Sequence, residues 1–263
     1  MKNGAYWVAI ALLLAGCQKC ETQLKVAATS VPHAEILKVI EPDLKEEGIC
    51  LKVLEVDDYC LPNRLLAEKQ VDANFFQHQP FLCVQQQQFG YEFEILASIH
   101  LEPLGIYSLQ LNDLSEIKEG AKIAIPSDPT NEGRALQLLE EIGLIQLRDT
   151  CQTYPTLLDV ADNPLCLKIQ EIDAAFLPRV LEDVTCAVIP SNFALQGHVL
   201  PNHRALAIES LESPYANIVV IRKDDQQASL QALKKHLTSK KVHDFIQQRY
   251  QGVLVPVFEP TQD

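Results

Sequence analysis

The apolar residues of this chain change period again and again. Leu24–Thr29 (LKVAAT) is a short run of β type, and HAEILKVIEPDLKEEG after it carries apolar positions at helical spacing, with Gly48 as a stop. CLKVLEV, a short helix around PNRLLAEKQ, and VDANFF continue the alternation, which restarts at Ala121 with AKIAIPSD, the helix NEGRALQLLEEIG, LKIQEI and TCAVIPSN. NIVVIRKDD then reads as a strand with a polar turn, and an amphipathic helix is predicted from Ser229 to about Tyr250. Strand–helix alternation predicts a mostly parallel sheet flanked by helices, and two rounds of it predict two α/β lobes. Phe93–Leu109 and Leu200–Ser213 mix His, Pro and Gly with apolar residues and are the expected crossovers. If both link the lobes, lobe I spans 24–107 and 211–263, and lobe II spans 108–210. A cleft between such lobes, facing strand C-termini, is where this architecture binds ligands.

The first residues follow another pattern. Lys2 precedes an apolar run from Ala5 to Ala15, too short to span a bilayer as a helix, that ends in LAGC (Leu14–Cys17). This reads as an export signal over 1–16, and LAGC resembles the bacterial lipobox, with Cys17 lipidated and 17–23 as tether. The expected location is extracytoplasmic, anchored to the membrane by lipid alone, on either the inner or the outer membrane. Gln18 after the lipidated Cys is compatible with outer-membrane sorting. A net charge of −13 argues against nucleic acid or an anionic membrane surface as partner. CQKC resembles a redox pair, but lipidation of Cys17 would consume half of it. The other seven cysteines are irregularly spaced and fix no connectivity; Cys50 and Cys186 read as small core residues.

Enzymatic signatures are missing: no phosphate-binding glycine loop, no Gly-x-Ser-x-Gly, no His-Glu-x-x-His. His198 and His203 have poor metal spacing and read as loop residues. A thiol enzyme using a cleft histidine such as His78 has no Cys in an activated setting to support it. The chain is expected not to be an enzyme and to need no metal or cofactor. VDANFFQHQPFL is stranger, since it interleaves three rings with His, Gln and Pro. Arg134 lies near the start of a helix capped by Thr130 or Asn131, the end that favours anions. Two readings stand open: a clamp for an anionic ligand, or a pairing with Glu132, Asp128 or a neighbour. Asn217, at the mouth of a buried strand, either ends a turn or holds a ligand. Tyr59 either packs on Pro62 or stands at the cleft rim.

Several fragments in order, DDYCLPNRLL, DANFFQHQPFL, IHLEPLGIYS, SDPTNEGRALQLLEEIGLI, YPTLLDVADNP and ESPYANIVVIR, resemble the methionine-binding lipoproteins of bacterial ABC importers from about Leu24 to Phe258. The resemblance implies a two-lobe periplasmic-binding-protein fold of type II, closing on a free amino acid, methionine or a derivative, for an ABC permease and its ATPase. It implies a side-chain cage of Tyr59, Phe76, His78 and Phe81, with Phe75 turned to the core. It places the ligand's carboxylate and ammonium at Arg134 and Asn217. AVIPSNF puts Pro190 where the family commonly has a ligand-binding Asn; either Asn192, two residues on, substitutes for it, or the ligand is held with one hydrogen bond fewer, or the preferred ligand differs. The alternative is a surface lipoprotein of the same fold with a different ligand or a macromolecular partner.

Overall fold

The computed structural model describes residues 20–149, 153–200 and 204–260. β1 (Thr22–Thr29), a π-helical turn (Ser30–Ala34), α1 (Glu35–Glu46), β2 (Ile49–Val56), α2 (Leu61–Ala67), β3 (Ala73–His78), α3 (Gln79–Phe89) and β4 (Phe93–Leu101) come first. The middle holds β5 (Leu104–Tyr107), β6 (Lys122–Pro126), α4 (Pro129–Glu141), β7 (Gln146–Leu147), β8 (Val160–Asp162), β9 (Lys168–Ile172), β10 (Cys186–Pro190), α5 (Ser191–Gln196) and β11 (Ala207–Ile208). β12 (Ala216–Arg222), α6 (Ala228–Leu237), α7 (Lys240–Tyr250) and β13 (Val255–Pro256) follow.

These strands form two main sheets, ordered β13-β4-β12-β3-β1-β2 and β11-β5-β10-β6-β9, so the two α/β lobes stand. The sheets, however, are mixed and not mostly parallel. β1 runs parallel to β2 and β3, whereas β12 runs antiparallel to β3 and β4. In the second sheet β10 is parallel to β6 and antiparallel to β5. The cause is the crossovers: β4 leaves the first lobe, β12 re-enters it, and β5 enters the second, each without the helical return that makes neighbours parallel. The lobe boundary moves as well. β5 pairs with β10, so the chain changes sheets at Glu102–Pro103 and not after residue 107.

Each sheet has its own core. Leu24, Val26, Ile36, Leu37 and Ile40 meet Leu233, Leu237, Val242 and Ile246, so the C-terminal helices share the core of the first sheet. Ile106, Ile123, Ile125, Leu136 and Val188 build the second. The single helix expected from Ser229 is broken at Thr238–Ser239. The Thr238 hydroxyl donates back to the Lys234 carbonyl at 3.0 Å, and Ser239 caps α7 by accepting from the Val242 N–H. Such side chains offer the backbone local alternatives to helix.

Cysteine pairing is also settled in part. Cys20 and Cys50 form a disulfide, joining the segment before β1 to β2, so Cys50 is a crosslink and not a core filler. Cys186 is buried as expected, and Cys60, Cys83 and Cys166 are free and exposed. Cys17 and Cys151 lie outside the described residues.

Candidate functional site

β3 is buried along its whole length between β1 and β12. Strict alternation would send Phe76 and Gln77 to opposite faces. Instead Ile218 pairs with Gln77 and Val219 with Phe75, which leaves Phe76 as the extra residue of a bulge. Phe76, Gln77 and His78 consequently all line one cavity, while Phe75 packs edge-on against His33 at 4.5 Å in the first core. One residue further the chain turns into α3. His78 caps that helix, its Nδ1 accepting the Phe81 N–H at 3.1 Å, with Pro80 in the first turn. The cap swings Phe81 back over the strand end.

The result is a ring cage. Tyr59, Phe76 and Phe81 stand 5.9 Å from one another by centroid, and His78 is 6.2 Å from Phe81. Tyr59 is thus a cavity residue, also packed on Phe193 at 4.9 Å. Behind the cage the Gln77 amide exchanges hydrogen bonds with Asn63 at 2.9 and 2.8 Å and donates to Asn74 at 3.0 Å, which locks its orientation.

The second lobe supplies the opposite wall from the first turns of α4. The cap is Asp128, not Thr130 or Asn131, because Pro129 supplies the fixed φ of the first helical residue. Asp128 accepts the Asn131 N–H at 3.1 Å and its side-chain N–H groups at 3.0 Å. That leaves Asn131 Oδ1 to accept from Arg134 Nη1 at 2.9 Å and from His78 Nε2 at 3.2 Å.

Arg134 is buried and paired, but with neither Glu132 nor Asp128. Its Nε and Nη2 donate to the Glu209 carboxylate at 3.1 and 2.6 Å, and Nη2 donates also to the Glu102 carbonyl at 3.1 Å. Tyr215 stacks on it, 4.1 Å from ring centroid to the guanidinium carbon. Four of the five guanidinium N–H donors are thereby used, and the fifth has no partner among the described residues.

Glu102, at the crossover, is one of three lining residues the sequence reading missed, with Gln77 and Asn131. Its Oε1 lies 2.6 Å from His100 Nε2 and 3.3 Å from His33 Nε2, and the Asn192 backbone N–H also bonds its carboxylate. His33 Nδ1 meets Thr29 Oγ1 at 2.6 Å, and its Nε2 lies 3.1 Å from Asn217 Oδ1. Burial holds the His33 imidazole down at about 4 and those of His78 and His100 at about 3, so all three are neutral near pH 7. Burial pushes the Glu102 carboxyl up, against the opposing pull of His33 and Arg134. His33, His100 and Glu102 put donor atoms within 4.8 Å of one another, near enough for a metal. Those atoms are spent on mutual hydrogen bonds.

Six of the seven expected ligand residues line this cavity together: Tyr59, Phe76, His78, Phe81, Arg134 and Asn217. Asn192 is not among them. It stands one layer back, where its Oδ1 accepts the Tyr59 hydroxyl at 2.7 Å across the lobes, and Pro190 occupies the wall. Gln77, Glu102 and Asn131 complete the lining. The signal for Glu102 was present in IHLEPLG, a charge flanked by His and Pro at a crossover.

Two α/β lobes joined by two crossovers, with a cavity caged by rings at one end and charged at the other, define a two-lobed ligand-binding protein. The chain belongs to the NlpA lipoprotein family, whose profile matches residues 24–258. It is 38% identical over 250 residues to the methionine-binding lipoprotein MetQ of Bacillus subtilis, covering 93% of this chain and 91% of that one. It is 37% identical over 223 residues to the D-methionine-binding lipoprotein MetQ of Escherichia coli, covering 82% of each. A nutrient binding protein from Burkholderia cenocepacia, solved bound to methionine, matches with a TM-score of 0.85 at 43% identity, over 89% of this chain and 100% of that one.

Proposed function

We propose that this chain is an extracytoplasmic substrate-binding lipoprotein that captures methionine between its lobes and delivers it to an ABC permease and its ATPase. One observation carries the reading: the ring cage of Tyr59, Phe76, His78 and Phe81 opens onto the same cavity as Arg134 and Asn217. A thioether is soft and apolar and gains about 0.3–1.5 kcal/mol from each contact with an aromatic ring. The free N–H of Arg134 and the Asn217 amide suit the polar end of an amino acid. The methionine-bound relative supports the assignment. The role is capture and release, without a chemical step.

The lobes already touch across the cavity, through Tyr59 to Asn192 at 2.7 Å and Gln196 to Asp57 at 2.9 Å. A ligand contacting both walls adds contacts made only in the closed form, and so shifts the population toward the form a permease distinguishes. Cys17 is the proposed lipid attachment. Among the described residues no helix is long and apolar enough to cross a membrane, which fits anchoring by lipid alone.

The test is calorimetric titration of the chain from Gln18 onward, unfolded and refolded to strip carried ligand. Calorimetry suits it because the only tryptophan is Trp7, in the signal. One-to-one heat with L- or D-methionine, and little with leucine or glutamine, is expected. Silence toward methionine from folded protein would overturn the proposal.

A further inference from the structure

A second cavity, of about 430 Å³, opens where the two lobes meet, behind the ring cage. The first lobe gives it Asp57, the residue after β2. The second gives Phe176, Pro178 and Arg179, from the segment between β9 and β10, with Phe193 and Gln196 from α5. Phe193 stands between the two cavities: its ring packs on Tyr59 of the cage at 4.9 Å, and it lines the second cavity itself. The two linings share no residue. One wall is tightly packed, because a Cβ on Gly197, at the end of α5, would lie 2.4 Å from the Pro178 Cβ.

Three kinds of group meet there, each short of a partner. The Gln196 amide donates to Asp57 Oδ1 at 2.9 Å across the lobes, but its own Oε1 is buried and accepts from no donor among the described residues. A buried acceptor left unmade is costly, so this oxygen calls for an N–H, and the Asp57 carboxylate beside it favours a charged one. Arg179 has no carboxylate partner among the described residues; its guanidinium carbon lies 5.8 Å from the Phe176 ring centroid. Phe176 in turn is 51% exposed. A single exposed ring is ordinary, but here it shares a cavity with an unpaired cation, a carboxylate and an orphaned carbonyl. Those groups match the three parts of a zwitterionic amino acid: carboxylate to guanidinium, ammonium to Asp57 and Gln196 Oε1, and apolar side chain to Phe176, Phe193 and Pro178.

We propose that this cavity is a second binding site, for a free amino acid with a large apolar side chain, and that its occupant strengthens capture in the first. Asp57 belongs to one lobe and Arg179 to the other. An occupant touching both makes its full set of contacts only when the lobes are closed, so it shifts the population toward the closed form. The coupling is reciprocal, since each ligand favours the form the other needs. This goes beyond the methionine reading and does not depend on it.

The probe is L-phenylalanine, titrated calorimetrically into wild type already saturated with methionine. A saturable one-to-one heat is expected, unchanged when the methionine is raised tenfold. Heat that shrinks as methionine rises is competition for the first cavity and overturns the proposal, as does no heat at all. Arg179→Ala removes an exposed side chain that does not line the first cavity. It is expected to bind methionine as wild type does and phenylalanine at least tenfold more weakly; phenylalanine bound equally by both proteins overturns the site. N-acetyl-L-phenylalanine, which lacks the ammonium, is expected to bind at least tenfold more weakly than phenylalanine, and equal binding overturns the role of Asp57 and Gln196. Saturating phenylalanine is expected to tighten methionine at least threefold; an unchanged methionine affinity overturns the bridging of the lobes. The two readings fail separately. Should methionine not bind, phenylalanine titrated into ligand-free wild type and into Arg179→Ala still decides this proposal, a tenfold difference upholding it and equality overturning it.

Discussion

Arg134 has two duties, and removing it would expose both. Its guanidinium neutralises Glu209, whose side chain is 12% exposed, and it lines the cavity. Arg134→Ala is expected to weaken methionine binding by about 2–5 kcal/mol, the range for breaking a buried charge pair, and also to lower the melting temperature because Glu209 is stranded. Arg134→Lys should not rescue either effect, since a point ammonium cannot reproduce the fork that meets both Glu209 oxygens. Calorimetric titration beside thermal melts checks this, and a lysine variant with wild-type affinity would dispose of the fork argument. The residue itself was legible in the sequence because a cation at a helix start is anomalous. Its partner was not. Glu209 lies 75 residues away, in a segment read only as a crossover, and helical spacing points to neighbours within a turn. Asn192 shows a related limit: its oxygen accepts the Tyr59 hydroxyl 133 residues away, one layer behind the cavity wall, a pairing that spacing along the sequence does not carry.

At the scale of elements, most of the chain announced itself. Apolar periodicity located β1, α1, β2, β6, α4 and β12, because each buries a face of definite period. What periodicity does not carry is strand direction, and mixed sheets followed from crossovers whose own strands, β4 and β5, had been read as linkers. The bulge at Phe76 was equally invisible, since it exists only in the register with β12. The start of α4 shows how one cap serves both fold and site. Asp128 holds the Asn131 N–H and its side-chain amide, and that amide oxygen in turn holds Arg134 and His78. Asp128→Ala is therefore expected to cost about 0.5–2 kcal/mol of stability, the usual loss for such a cap. Methionine affinity should also fall several-fold, because Asn131 becomes free to turn. Asp128→Asn, which keeps an acceptor oxygen, should restore most of both. Urea unfolding and titration of the two variants decide it; an alanine variant weakened in stability alone would separate the cap from the site.

For the molecule as a whole, three histidines buried neutral around one cavity impose a direction on acid stability. His33 faces Glu102, His100 and Asn217, and His78 faces Arg134 and Asn131. Their folded values are held down at about 4 for His33 and about 3 for His78 and His100, all below the ordinary 6.5. A depressed folded value means that the unfolded chain takes up protons first as pH falls. The stabilising contribution is therefore complete above about pH 6.5 and is lost progressively toward pH 3–4. Between pH 7 and 5 each imidazole should withdraw on the order of 2 kcal/mol. Two carboxyls oppose the trend. Glu132, pushed up to about 7 by burial and by Glu171, and Glu102, raised by burial, both favour the folded state as they gain protons. Three groups against two leave a net loss of a few kcal/mol, and in a chain of this size each kcal/mol moves the melting temperature by roughly 2–4 °C. The ligand-free protein is accordingly expected to melt roughly 5–15 °C lower at pH 5 than at pH 7. Scanning calorimetry of the ligand-free protein at the two values measures the shift. A melting temperature that holds or rises on acidification would mean that the buried imidazoles are not held neutral by the fold.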